Sequence, residues 1–221
     1  GFVGELTEDA WQAMAEVSLE LSSVVSFVRW QSPRLGKLLQ LGMGTRVNMG
    51  MMLKEQAIEI PQRTFFLYEG RAYTYEEANI RVNQFVYALL AVGVSRGDYV
   101  GIMMENHPDY LTLIVSLNRI GAVAVLINPG SQGSVLEQAI DAGRVTGMIA
   151  DPTHLEAVLK VLPVQQTWAV FGNTPGAPIA EGVACLEKLM DRRIIECPLR
   201  SSANPGNADD LAMLVFTSGT T

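Results

Sequence analysis

Short apolar segments alternate with segments of helical periodicity between residues 98 and 171, and this alternation constrains the fold more than any other feature of the sequence. Strand-like apolar runs lie at residues 98–104, 122–127, 146–150 and 167–171, separated by helical segments at 108–121, 134–142 and 153–162. The run at 122–127 is apolar at nearly every position, which is typical of a strand covered on both faces. The pattern predicts βαβ units, and therefore an α/β fold whose layered, mostly parallel sheet is flanked by helices on both faces.

A hairpin and a capped helix are predicted just before this region. Strands at residues 65–68 and 71–73 enclose a turn at residues 69–70. Thr74 and Glu77 have the spacing of a capping box, in which each side chain bonds the backbone N–H of the other residue. The helix that follows is predicted to bury one apolar face, formed by Ala78, Val82, Phe85, Ala88 and Leu89.

Residues 1–48 are predicted to form a helical N-terminal extension, and residues 49–221 an α/β subdomain. Helical spacing continues from residue 7 to about residue 30, and a second short helix is expected at residues 34–41. The apolar stretch at residues 24–30 is far shorter than the ~20 residues that a transmembrane helix needs. We interpret the extension as packing on the rest of the protein. The alternative is a peripheral contact with a membrane or partner through Trp30, Arg34, Lys37 and Arg46.

Composition and charge exclude several classes of protein. With 48% hydrophobic and 18% charged residues, the chain is not an intrinsically disordered one. The net charge of −7, without clusters of Lys and Arg, argues against a nucleic-acid partner. Cys185 and Cys197 are too few for a disulfide framework and fit a reducing, cytoplasmic location. His107 and His154 lack metal-ligand spacing, so we expect structural or surface roles for both and no metal site.

The last predicted strand, LAMLVF at residues 211–216, is expected in the interior of the sheet, and it leads directly into a polar loop. That loop consists of Thr217, Ser218, Gly219, Thr220 and Thr221. Successive N–H groups in such a turn can converge on an anion, and the hydroxyl groups add donors that can also reach a phosphate-bound Mg²⁺. The loop lacks the G-x-x-x-x-G-K-[ST] pattern of a Walker loop. The sequence alone therefore leaves open a phosphate-binding loop or an ordinary polar turn.

Two parts of the sequence resemble the adenylate-forming enzymes, which include acyl-CoA synthetases, luciferases and the adenylation domains of peptide synthetases. In the first part the matching pieces are Thr74-Tyr75, Gly93-Val94, Gly97-Asp98, Asn106, Gly121-Ala122-Val123 and Asn128-Pro129. The second part, LVFTSGTT, is similar to the start of the family's phosphate loop, [ST]SG[ST]TGxPK. The resemblance extends from about Met49 to Thr221, although Leu126 stands where many members have Pro. It is strongest to fatty-acyl-CoA synthetases of the fatty acid transport protein and very-long-chain branch.

This resemblance implies a two-step reaction that uses ATP, Mg²⁺ and CoA. A fatty acid carboxylate is first activated as an acyl-adenylate, and the acyl group is then transferred to the CoA thiol. The resemblance assigns phosphate binding to Thr217, Ser218, Gly219, Thr220 and Thr221. The Gly and Lys of the family's loop would come after Thr221, as would its catalytic lysine, so no catalytic residue is assigned within the chain. We therefore expect the chain to be an N-terminal portion, truncated in the phosphate loop, that is inactive alone.

Two other functions are compatible with the same residues. One is a fatty-acyl-AMP ligase that passes its acyl group to a carrier protein. The other is a noncatalytic relative that binds lipid or acts as a scaffold. The expected location is cytoplasmic, with membrane association as the alternative if the extension contacts lipid. Neither the acyl chain length nor the oligomeric state can be deduced from the sequence.

Overall fold

The computed structural model describes residues 22, 24–26, 28, 29, 45, 47–198, 206, 207 and 209–216. The chain divides into two compact units, Gly1–Thr45 and Arg46–Thr221. The described residues between 22 and 29 are helical, and the rest of the two predicted N-terminal helices lies outside the described residues. The division of the chain at residue 48 stays a prediction.

Helices and strands alternate through the second unit. In chain order its described elements are α1 (Met49–Glu59), β1 (Thr64–Tyr68), β2 (Arg71–Thr74), α2 (Tyr75–Ala91), β3 (Tyr99–Met103), α3 (Pro108–Ile120), β4 (Val123–Leu126), α4 (Gly133–Ala142), β5 (Gly147–Ala150), α5 (Leu155–Leu159), β6 (Thr167–Ala169), β7 (Ala184–Cys185), α6 (Leu186–Leu189) and β8 (Met213–Val215). The alternation predicted from the sequence is confirmed, with boundaries that differ by one to three residues for most elements.

The strands from β3 onward form one six-stranded sheet in the order β7-β6-β5-β3-β4-β8. All five strand pairs are parallel, whereas β1 and β2 form a separate antiparallel hairpin. The prediction of a mostly parallel sheet flanked by helices is therefore confirmed. Because the strands are parallel, their carboxyl ends lie along one edge of the sheet, the carboxyl edge.

Alternate side chains of the strands enter two separate hydrophobic cores. On one face of the sheet, Ile102 and Ile149 pack in the core that contains α2 and α3 residues such as Phe85. On the other face, Met103 and Met148 belong to the core that contains residues of α4 and α5. Successive side chains of a strand point to opposite faces. Since both faces are covered by helices, the central strands have the nearly continuous apolar sequences from which the fold was predicted.

Local capping determines where the two longest helices begin and end. The predicted capping box at the start of α2 is present, with Thr74 and Glu77 bonding each other's backbone N–H groups. Helix α3 ends at Gly121, whose φ of 89° is left-handed. Glycine adopts this conformation at little cost, whereas a Cβ atom would be strained there.

The predicted interior position of the last strand is wrong. Among the described strands, β8 pairs only with β4 and lies at the edge of the sheet. Its neighbours Leu211 and Phe216 are 47% and 43% exposed, and Val215 is 59% exposed. An apolar run predicts a strand, but the position of that strand depends on long-range pairing that the run itself does not specify.

Two smaller features also differ from the sequence prediction. The helix expected at residues 153–162 is shorter and consists of α5 alone. Asp151 accepts hydrogen bonds from the backbone N–H and ring of His154, and these bonds hold the residues before α5 in a turn. Strand β7 and helix α6 were not predicted. They contain two and four residues, and such short elements have no detectable periodicity.

Candidate functional site

The predicted phosphate loop, Thr217 to Thr221, lies outside the described residues, but the strand that leads into it is described. Val215 of β8 is paired with Leu126 at the end of β4. The chain therefore leaves β8 at the carboxyl edge of the sheet, beside the loop that follows β4. In open α/β sheets, ligands bind in the crevice outside the carboxyl ends of the strands. The carboxyl edge is therefore the candidate site, and phosphate binding by the five residues stays a prediction.

The loop after β4, next to the end of β8, is ordered by its own asparagine. The Asn128 side-chain oxygen accepts a hydrogen bond from the Gly130 backbone N–H at 2.8 Å. The Asn128 carbonyl accepts another from the Ser131 N–H at 3.0 Å. These bonds form an Asx turn, which holds a short polar loop in one conformation. The loop beside the described end of β8 is therefore a defined turn.

A buried carboxylate connects the loops that follow β3 and β5. Asp151, which is 4% exposed, accepts a hydrogen bond from the backbone N–H of Glu105 at 2.9 Å. Its other oxygen contacts His154 Nδ1 at 2.6 Å and accepts the His154 backbone N–H at 3.1 Å. The Nε2 atom of His154 lies 3.4 Å from a carboxylate oxygen of the exposed Glu105. The imidazole therefore bridges two carboxylates and joins two neighbouring loops of the carboxyl edge.

Asn106 connects the same edge to the hairpin. Its carbonyl oxygen accepts hydrogen bonds from the Tyr68 hydroxyl at 2.8 Å and from the Asn173 side chain at 3.1 Å. Desolvation and the nearby Glu69 carboxylate raise the pKa of Tyr68, so the hydroxyl remains protonated and able to donate. The β1–β2 hairpin and the loop after β6 thus fix the backbone that follows β3.

Helix α3 begins beside this loop with a histidine cap and a buried ion pair. His107 Nδ1 accepts a hydrogen bond from the Asp109 N–H at 3.0 Å. Burial is the main cause that lowers the pKa of His107, and the positive charge of Arg81 lowers it further. The neutral ring is the form that can accept this hydrogen bond. The Asp109 carboxylate receives two hydrogen bonds from Arg81, each 2.7 Å long.

Sequence patterns did not reveal these edge contacts. Asp151 and Glu105 are far apart in the chain and meet because the parallel strands β5 and β3 align their ends, whereas Tyr68 of the antiparallel hairpin meets Asn173 through packing of the hairpin on the sheet. The one available sequence indication was that polar residues directly follow apolar strand runs. The described contacts of His107 and His154 are structural. Among the described residues, no group of three His, Cys, Asp or Glu side chains could hold a metal ion.

Within the part of the chain that the structure describes, no helix has both the length and the apolar composition needed to cross a membrane. The two cysteines, Cys185 and Cys197, do not form a disulfide. The predicted membrane or partner contact through Trp30, Arg34, Lys37 and Arg46 lies outside the described residues.

Comparison with known proteins assigns most of the chain to one enzyme family. The AMP-binding enzyme family matches residues 53–221. The long-chain fatty acid transport protein 6 of Mus musculus is 28% identical over 163 residues, which are 73% of this chain and 26% of that protein. The medium/long-chain-fatty-acid–CoA ligase FadD6 of Mycobacterium tuberculosis is 28% identical over 179 residues, covering 80% of this chain and 28% of the ligase. The chain therefore spans only about a quarter of the length of these relatives.

Solved structures support the fold. The structure of a long-chain-fatty-acid-CoA ligase (FadD1) from Archaeoglobus fulgidus matches with a TM-score of 0.63 at 21% identity. The match covers 81% of this chain and 36% of that one. At this level of identity the likeness establishes the arrangement of the sheet and helices.

Proposed function

Since the chain belongs to the AMP-binding enzyme family, we propose that it forms part of an ATP-dependent acid–thiol ligase that converts a fatty acid into its acyl-CoA thioester. The observation that carries this proposal is the family match over residues 53–221, which includes the LVFTSGTT segment. Relatives named as a fatty acid transport protein and a fatty-acid–CoA ligase support a fatty acid as the substrate.

The proposed reaction has two steps. A carboxylate oxygen of the fatty acid attacks the α-phosphorus of ATP, the bond to the β-phosphate breaks, and pyrophosphate leaves. The thiol of CoA then forms a bond to the acyl carbon, the carbon–oxygen bond to AMP breaks, and the thiol proton is released. The first step needs ATP with Mg²⁺ and the second needs CoA, and these are the proposed cofactors.

The loop after β8 would stabilise the charge that develops as pyrophosphate leaves. Backbone N–H groups and the hydroxyls of Thr217, Ser218, Thr220 and Thr221 are suitable donors to phosphate oxygens, and Gly219 permits a tight turn. Donors of this kind act strongly because they are oriented before the charge appears. The carboxyl end of β8 lies at the carboxyl edge, where α/β sheets bind ligands, and the loop begins there. This position supports the assignment of phosphate binding to the loop.

The test uses the complete protein in which this chain occurs, with exchange of labelled pyrophosphate into ATP as the assay. Thr220→Val and Thr221→Val together keep the size of the side chains and remove two donors. Losing one preorganised donor typically costs ~100–1000-fold in rate, so we expect exchange to fall by about 100-fold or more. The matched control, Thr64→Val with Thr153→Val, changes two exposed threonines elsewhere in the second unit and should leave exchange unchanged.

Four results would contradict parts of the proposal. Equal exchange in the loop variant and the control would show that the loop does not bind phosphate. Strong exchange by the 221-residue chain alone would show that the chain is not the inactive portion that we propose. Exchange without thioester formation from CoA would favour an acyl-AMP ligase with a carrier-protein acceptor. No exchange by a folded, complete protein would favour a noncatalytic lipid-binding or scaffold relative.

The N-terminal extension is proposed to be separate from the catalytic unit. A compact unit that ends at Thr45 supports this division. Deletion of the extension from Thr7 to about Leu41 should leave cooperative unfolding of the remaining chain intact in a thermal melt. If the extension binds membranes, its deletion from the complete protein should weaken co-sedimentation with liposomes, which would distinguish a membrane-associated from a purely cytoplasmic enzyme.

A further inference from the structure

A cavity of 390 Å³ lies between the β1–β2 hairpin, helix α2 and the first turn of α3. We call it the hairpin cavity. Its walls include Phe66 and Tyr73 from the hairpin, Arg81 from α2, and His107, Asp109 and Thr112 at the start of α3. Pockets that bind small molecules typically measure ~300–1,000 Å³. The described lining residues lie on the hairpin, on α2 and at the start of α3, whereas the predicted phosphate loop follows β8.

The charged side chains around the hairpin cavity neutralise one another. Arg81 forms two hydrogen bonds with Asp109, both 2.7 Å long, and Arg71 pairs with Glu77 at 3.0 Å. An anionic ligand would therefore find no cation without a carboxylate beside it. A cationic ligand would meet the Asp109 carboxylate with both oxygens already accepting from Arg81. Because a buried charge is costly unless it is paired, the cavity favours an uncharged molecule.

Hydrogen-bond donors remain after these internal bonds are counted. A guanidinium group has five N–H donors. In Arg81 the Nε and Nη2 atoms donate to Asp109, and Nη1 donates to the sulfur of Met190 at 3.2 Å. Two N–H groups of Arg81 are left by this count. His107 accepts at Nδ1, so its neutral ring carries the proton on Nε2 and is a donor there. The ligand should therefore contribute an acceptor.

The opposite wall is aromatic. The rings of Phe66 and Tyr73 stack with centroids 4.8 Å apart and planes 12° from parallel, and the guanidinium carbon of Arg71 lies 4.3 Å from the Tyr73 centroid. Ala78 and Ile80 add aliphatic surface to the same cavity. Aromatic rings provide a large, flat apolar surface that suits a planar partner. The cavity therefore combines donors from Arg81 of α2 and His107 at the start of α3 with aromatic surface on the hairpin.

We propose that the hairpin cavity binds a small, uncharged aromatic molecule that carries a carbonyl or amide oxygen. The ring lies against the Phe66 side chain, and the oxygen accepts hydrogen bonds from Arg81 and His107. The Arg81–Asp109 pair stays intact, because the ligand accepts only from N–H groups that do not donate to the Asp109 carboxylate.

The test measures binding of four fluorinated probes to the 221-residue chain by ¹⁹F NMR titration. The probes are 4-fluorobenzamide, the anion 4-fluorobenzoate, the cation 4-fluorobenzylamine, and fluorobenzene, which lacks the acceptor. We expect the amide to bind about tenfold more tightly than each of the others, since one hydrogen bond from a charged donor can supply such a factor. Equal affinity for all four probes, preference for benzoate or benzylamine, or no detectable binding of the amide would overturn the proposal.

Two variants test the location. Ile80→Trp places a large side chain in the cavity wall and should abolish amide binding. Its matched control, Ile58→Trp, alters a residue of α1 that is 72% exposed and should leave the affinity unchanged. His107→Asn keeps a capping oxygen and removes the Nε2 donor, so the amide should lose its advantage over fluorobenzene in part. If Ile80→Trp is folded in a thermal melt and still binds the amide normally, the ligand is elsewhere and the proposal fails.

Discussion

Removing the charge of Asp109 is the sharpest test of how the second unit is stabilised. Asp109→Asn keeps the shape of the side chain and leaves the Arg81 guanidinium without its carboxylate. The Asp109 side chain is only 8% exposed, and both of its oxygens accept hydrogen bonds from Arg81. The two residues join α2 to the start of α3, the two helices that cover one face of the sheet.

The expected loss follows from the geometry of the pair. Breaking a buried ion pair by removing one partner costs ~3–5 kcal/mol, because the other charge is left buried. The Arg81 side chain is 32% exposed, so water compensates for part of that loss. Asp109 also lies in the first turn of α3, where a negative charge adds ~0.3–1 kcal/mol through the helix dipole. We expect Asp109→Asn to lower the free energy of unfolding by about 2–3 kcal/mol.

Urea unfolding at pH 7, followed by circular dichroism and tryptophan fluorescence, measures this loss. In a domain of this size, the expected loss in the free energy of unfolding corresponds to a decrease in Tm of about 5–10 °C. The matched control Asp141→Asn changes an exposed aspartate of α4 and should alter stability by less than about 0.5 kcal/mol. Adding Arg81→Met to Asp109→Asn should restore part of the loss, since it removes the unpaired cation. A loss no larger than that of the control, or a further loss with Arg81→Met, would refute the reasoning.

Three further changes test local features of the fold. Thr74→Ala removes the capping-box hydroxyl and should cost about 1 kcal/mol in urea unfolding, whereas an unchanged midpoint would show that the cap is unimportant. Gly121→Ala forces a Cβ into a left-handed conformation and should cost ~1–2 kcal/mol, seen as a lower Tm; a higher Tm would contradict this explanation. Because burial lowers the pKa of His107 below its ordinary 6.5, the unfolded chain binds more protons, and stability should decrease as the pH falls from 6.5 toward the lower folded-state pKa. His107→Asn should remove that part of the pH dependence in unfolding titrations from pH 7.5 to 5, and an identical slope in both proteins would exclude His107 as its source.

Much of the fold could be predicted because its determinants are local. The capping box of Thr74 and Glu77 and the left-handed Gly121 depend on neighbouring residues. The apolar strand runs are long enough to show their character without knowledge of their partners. The helix at residues 153–162 was overestimated because a side-chain contact of Asp151 with His154 holds its first residues in a turn.

The sequence by itself determined the fold class, the order of the strands and helices along the chain, and the segment that links this protein to the AMP-binding enzymes. These properties are encoded in periodicity and in contiguous motifs, which act over a few residues. Only the tertiary structure decided that β8 pairs with β4 alone among the described strands, and that Tyr68, Asn106 and Asn173 meet at the carboxyl edge. The physical reason is that the spatial order of the strands and the side-chain contacts depend on segments up to about a hundred residues apart in the chain. Many arrangements of such segments are compatible with the same local pattern, and only packing of the whole chain selects one.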